Sequence, residues 1–181
     1  MNGLLSQNAL GSFSLDGVGG SNIKSIQSGT AAPTATSQTI TISAIDMTKS
    51  IVKMTSNAGT GSNLSALMPK IVITNSTTLT ITFQSTPPTT YLYWEVIEFN
   101  NVKSLQSGVT AIAASTSPNI TISSINLSKS TLFFSADDGV TANTNYIEAA
   151  IMGKLLDTTT LNFSQSSSVA RNAAWYVIEF N

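Results

Sequence analysis

The chain has 181 residues, a formal net charge of −1, no cysteine and no histidine. Only 9% of its residues are charged, against about 25% in an ordinary soluble domain. This composition excludes disulfides and thiolate metal sites, offers no clustered basic face for nucleic acid, and favours association over life as a free monomer.

Met1 to Asn22 differs from the rest. Leu4, Leu5 and Leu10, followed by Phe13 and Leu15, are its large apolar residues, and Gly17, Gly19 and Gly20 follow. It lacks the basic start and unbroken apolar core of a secretory signal, and it is too short and polar to span a membrane. It reads either as a disordered leader or as an arm that orders on a partner through Leu4, Leu5, Leu10 and Phe13.

From Ile23 onward the sequence is written twice. Ile23-Lys24-Ser25-Ile26-Gln27-Ser28-Gly29 returns as Val102-Lys103-Ser104-Leu105-Gln106-Ser107-Gly108, and each is expected to be a short strand ended by a glycine turn. Thr39 to Ser43, matched by Asn119 to Ser123, alternates cleanly: Ile40 and Ile42 point one way and the hydroxyls the other. Ile45-Asp46-Met47-Thr48-Lys49-Ser50 corresponds to Ile125-Asn126-Leu127-Ser128-Lys129-Ser130. An Asp46–Lys49 catalytic pair is disfavoured there, because Asn126 can make the same turn but cannot do the same chemistry.

A third strand, Ile51 to Thr55 against Thr131 to Ser135, leads into a glycine-bearing loop. In the second copy that loop holds Asp137 and Asp138, the one acidic cluster. Calcium would need six to eight ligands, so an Asp-Gly turn is the better reading. A fourth strand around Ala66 to Thr74 contains Pro69, which places it at a sheet edge or a bulge. Leu79 to Phe83 alternates again and has its match in Leu161 to Phe163. Each copy closes on one pattern, Trp94-Glu95-Val96-Ile97-Glu98-Phe99-Asn100 and Trp175-Tyr176-Val177-Ile178-Glu179-Phe180-Asn181.

About six strands per copy, with no helical periodicity, predict an all-β chain. It divides into an arm, 1–22, and two tandem antiparallel β-sandwiches, 23–100 and 101–181. Alternation puts Trp94, Val96 and Glu98 on one face of the closing strand and Tyr93, Glu95, Ile97 and Phe99 on the other. In the second copy the latter face is Tyr176, Ile178 and Phe180, wholly apolar. A strand apolar on both faces is covered on both, so this face is expected to meet the sister repeat or another subunit. No motif for catalysis, metal or cofactor emerges: the general acid-base histidine is missing, and Gly17-Val18-Gly19-Gly20 does not join a strand to a helix.

The Lys-Ser-Ile-Gln-Ser-Gly segment, the Thr-Ile-Thr-Ile-Ser segment, Asp-x-Thr-Lys-Ser and the closing Trp-x-Val-Ile-Glu-Phe together resemble a small β domain of tailed-bacteriophage virion proteins. The resemblance covers Ile23 to Asn181. It implies a non-enzymatic structural protein located in the virion, of the capsid decoration or head-fibre kind or else of the tail-fibre or baseplate kind. A homo-oligomer, with a trimer presenting six similar domains to a capsid, is the expectation. Its partner would be the major capsid protein or another virion protein. An adhesin for host glycan is the alternative, with Tyr91, Tyr93 and Tyr146 as candidate sugar contacts.

Overall fold

A computed structural model describes residues 22–57, 68–87, 91–114, 116–137, 151–165 and 169–181. The described chain is all-β, with one turn of 3-10 helix at Leu127–Lys129. The first repeat contributes β1 (Ile23–Ala31), β2 (Ser37–Thr41), β3 (Ser50–Asn57), β4 (Lys70–Asn75), β5 (Thr78–Thr82) and β6 (Tyr91–Phe99). The second contributes β7 (Val102–Ile112), β8 (Asn119–Thr121), β9 (Ser130–Ala136), β10 (Met152–Asp157), β11 (Thr160–Ser164) and β12 (Arg171–Phe180).

These strands form four three-stranded antiparallel sheets. In the first repeat the orders are β1-β6-β3 and β2-β5-β4, and in the second β7-β12-β9 and β8-β11-β10. Each repeat is therefore a sandwich of two open sheets, with the closing strand at the centre of one of them. Leu92, Trp94 and Val96 of β6 face Leu79 and Ile81 of β5 and Ile71 of β4 in one core. Trp175 and Val177 of β12 meet Leu161 and Phe163 of β11 in the other.

Two expectations need correction. Gly29 and Gly108 do not turn the chain: β1 runs on to Ala31 and β7 to Ile112. Each glycine instead lies directly opposite a tryptophan, Gly29 beside Trp94 and Gly108 beside Trp175. A Cβ added at Gly29 would stand 2.7 Å from the ring of Trp94, and one at Gly108 would stand 2.8 Å from Trp175. Glycine is present for close approach, not for a bend. The second correction concerns β4, which begins only after Pro69. As expected, it is an edge strand; a residue without an N–H cannot enter its ladder.

Candidate functional site

The motif residues shared by the repeats converge on a buried glutamate. Oε1 of Glu98 accepts hydrogen bonds from Nζ of Lys24 at 2.8 Å and from the backbone N–H of Asp46 at 3.2 Å, and Oε2 accepts from the Ser25 hydroxyl at 3.3 Å. Glu179 repeats the arrangement with Lys103 at 2.9 Å, the Asn126 N–H at 3.1 Å and Ser104 at 3.3 Å. Burial pushes the Glu98 carboxyl upward, but Lys24 and the Asp46 N–H outweigh it and hold the group below its usual value. The Lys103 hydrogen bond does the same for Glu179, against burial.

Carboxylates held ionised in this way are badly matched to proton transfer near neutrality. Their work is to fasten the connector after β2 or β8 to the first strand of the repeat. Gln27 adds a second fastening: its amide oxygen accepts from the Ser43 N–H at 2.7 Å, and its Nε2 donates to the Ser43 carbonyl at 3.0 Å. Gln106 treats Ser123 identically. Oδ1 of Asp46 accepts from the N–H and hydroxyl of Thr48, as Oδ1 of Asn126 does from Ser128. The turn reading of this connector therefore holds, with Lys49 Nζ 3.9 Å from Asp46.

The second constellation lies between the repeats. Tyr176 and Ile178, on the outer face of their own sandwich, are buried in the core cluster of the first repeat, with Leu105, Phe133 and Phe180 packed at its margin. The face that needs cover in the second copy is thus covered by the sister repeat. Strand β4 lies against β9 and β12. Its free edge is satisfied there: the Ile71 N–H donates to the Ser135 hydroxyl at 3.1 Å, and the Ile73 N–H to the Tyr176 phenol oxygen at 2.9 Å. Burial pushes the Tyr176 phenol up to about 12, against the Ile73 hydrogen bond. Lys70 Nζ lies 3.6 Å from Asp137 Oδ2, and Asp137 also accepts from the N–H and side-chain amide of Asn172. The rings of Phe99 and Phe180 meet edge to face, with centroids 5.4 Å apart. Asp137 therefore serves the junction between repeats; Asp138 and Gly139 lie outside the described residues.

Among the described residues the equivalent face of the first repeat is covered only in part, with Phe99 buried in the core cluster and Ile97 packed against it. Tyr93 and Ile26 are 43% and 52% exposed, and Ile97 is half-buried. The cross-strand pair Phe133–Tyr176 of the second repeat is replaced here by Lys53–Glu95, which form an ion pair. Beside it Tyr91 and Tyr93 border a shallow depression of about 190 Å³ with Thr30, Thr55, Ser56 and Asn57.

Of the residues expected to make contacts, Phe99, Tyr176, Ile178 and Phe180 join at the junction with Ile97 packed against the same cluster, while Tyr93 remains on the open face. Leu4, Leu5, Leu10, Phe13 and Tyr146 lie outside the described residues. The contributions of Ile71, Ile73 and Ser135 escape a sequence reading, because they depend on a strand edge and not on side-chain periodicity. Among the described residues no group of three or more Asp, Glu, His or Cys is placed to hold a metal ion, and no helix is long and apolar enough to cross a membrane. The chain matches no family model, no curated protein and no solved structure.

Proposed function

We propose that the protein is a non-enzymatic structural subunit of a tailed-phage virion, a homo-oligomeric decoration or head-fibre protein on the outside of the capsid. The observation that carries this reading is the uneven treatment of two equivalent faces. The outer face of the second repeat is sealed by the first, while the outer face of the first leaves Ile26 and Tyr93 exposed, with Ile97 half-buried beside them. Apolar residues on an open sheet face suit a protein that works in contact with neighbours. The motif carboxylates support the same reading, since they are engaged in fastening the fold.

Antibodies raised against the purified chain, applied with gold to phage particles from the source lysate, test the assignment. Labelling over the head is expected; label found only on free material overturns it. Residues 1–22 are assigned the capsid contact, so their deletion is expected to abolish attachment and leave the repeats folded.

A second reading, a tail-fibre or baseplate adhesin, draws on the Tyr91–Tyr93 depression, where aromatic rings sit among hydroxyl and amide groups as in sugar sites. Gold at the tail tip, with glycan binding lost in Tyr91→Ala, would favour it.

A further inference from the structure

The junction inside the chain is a contact that can be repeated between chains. In it, the open side of one sandwich, between its edge strands β3 and β4, sits on the outer face of the next sheet, β7-β12-β9. Among the described residues the second repeat has the same open side, between β9 and β10, and the first repeat has the same outer face, on β1-β6-β3. We propose that copies of the chain associate head to tail by this contact, the open side of the second repeat of one copy docking on the outer face of the first repeat of the next. The proposal rests on the homo-oligomeric reading above and specifies its geometry.

The chemistry at equivalent positions supports it. Gly153 and Leu155 of β10 pair with Phe163 and Leu161 just as Ile71 and Ile73 of β4 pair with Ile81 and Leu79. Their N–H groups therefore occupy the places of the two that β4 donates to Ser135 and Tyr176. On the first repeat, the places of Ser135 and Tyr176 are held by Thr55 and Glu95, both hydrogen-bond acceptors. Lys154 stands where Val72 stands, since it pairs with Asn162 as Val72 pairs with Thr80. Within the chain, Val72 and Tyr176 border one depression. The same juxtaposition between copies brings Lys154 to Glu95, so an apolar pair inside the chain becomes a charge pair between chains.

Lys154 is exposed and has no ion-pair partner among the described residues. Met152 and Leu156, on the same strand, are 55% and 44% exposed, which provides apolar surface for Ile26 and Tyr93 of the neighbour. A head-to-tail contact of this kind closes into a ring or runs on as a filament, and a ring of three chains would hold six sandwiches in quasi-equivalent positions.

The test is sedimentation and light scattering of the full chain over a range of concentrations, with Lys154→Glu, Glu95→Lys and the double exchange. Wild type is expected to exceed its monomer mass of 19.0 kDa. Each single reversal is expected to weaken association about tenfold or more by setting like charges together, and the double exchange to restore the part owed to Lys154, the loss of the Lys53–Glu95 pair remaining. A wild type that stays monomeric overturns the proposal. So does an oligomer indifferent to both reversals, although that result leaves the homo-oligomeric reading standing. Unchanged mass together with glycan binding lost in Tyr93→Ala would make the face a sugar site and overturn it too. Circular dichroism on each variant separates lost association from lost folding, and the double exchange serves as the internal control.

Discussion

The phenol oxygen of Tyr176, on the last strand, accepts the backbone N–H of Ile73 at 2.9 Å across 103 residues of sequence. That N–H belongs to an edge strand, where an unpaired donor invites the wrong neighbour. One side chain thus caps the edge of the first sandwich and seals the outer face of the second. Tyr176→Phe keeps the ring and removes the acceptor, leaving a donor unsatisfied in a partly buried place. The expected loss is about 1–3 kcal/mol in stability, measured by urea denaturation. No loss would mean that the edge is capped by something else.

The same hydroxyl sets the alkaline limit of stability. A group whose folded value is raised stabilises the fold below its ordinary value and stops doing so as pH climbs towards the folded one. For Tyr176 that window runs from 10.0 to about 12. Lys24, raised chiefly by its hydrogen bond to Glu98, contributes loss of the same sign above 10.5. Glu98 and Glu179 act at the other end: their lowered carboxyls stabilise above the ordinary 4.5, and this is lost as pH falls below it. Melting temperature against pH is therefore expected to show a plateau bounded by an acid and an alkaline limb. Glu179→Gln should flatten the acid limb and Tyr176→Phe the alkaline one. Limbs unchanged in these variants would assign the titrations to other groups.

Gly108→Ala tests the other device that the motif encodes. The added methyl would stand 2.8 Å from the Trp175 ring, which is itself packed in the core. The cost of overpacking is about 1–3 kcal/mol, read as a lower midpoint in denaturant. A neutral Gly108→Ala would show that the ring can move aside.

Alternation made the strands legible, and the double-sided apolar pattern of Tyr176, Ile178 and their neighbours made the need for cover legible. What covers them was not, because a sheet face records that it is buried and not by whom. The role of the glutamates was closer to hand than it looked. Glu98 shares a face with Trp94 and Val96, and a charge on a core face calls for a partner. The partner, Lys24, is 74 positions away, a pairing that only the sheet register creates. The glycines are ambiguous in sequence for a related reason: the same residue serves turns and close approaches, and only the residue on the neighbouring strand distinguishes them.

Differences between the copies are as informative as their agreement. The indole N–H of Trp175 donates to the Thr110 hydroxyl at 3.0 Å. The indole N–H of Trp94 is buried with no partner among the described residues, because Ala31 occupies the place of Thr110. Ala31 and Thr110 stand at the same register, two residues beyond the glycines that face each tryptophan. Ala31→Thr is therefore expected to stabilise the protein by about 1 kcal/mol. A destabilised Ala31→Thr would show that the first sandwich has no room for the hydroxyl.

The Lys70–Asp137 pair joins the two repeats, with the lysine side chain 14% exposed and the aspartate fully buried. Lys70→Met preserves the apolar stem and removes the charge, leaving a buried carboxylate held, among the described partners, by Asn172. The loss is expected at about 2–3 kcal/mol, below the figure for a fully enclosed pair because the lysine still reaches solvent. It should fall on the coupling between repeats. Each repeat carries one tryptophan, Trp94 in the first and Trp175 in the second, so Trp94→Phe and Trp175→Phe variants report the two halves separately. With Lys70 intact, the two fluorescence transitions in urea are expected to coincide, as in a single cooperative unit. With Met at that position they are expected to separate. If the two probes already unfold at different urea concentrations with Lys70 in place, the junction does not bind the repeats into one unit.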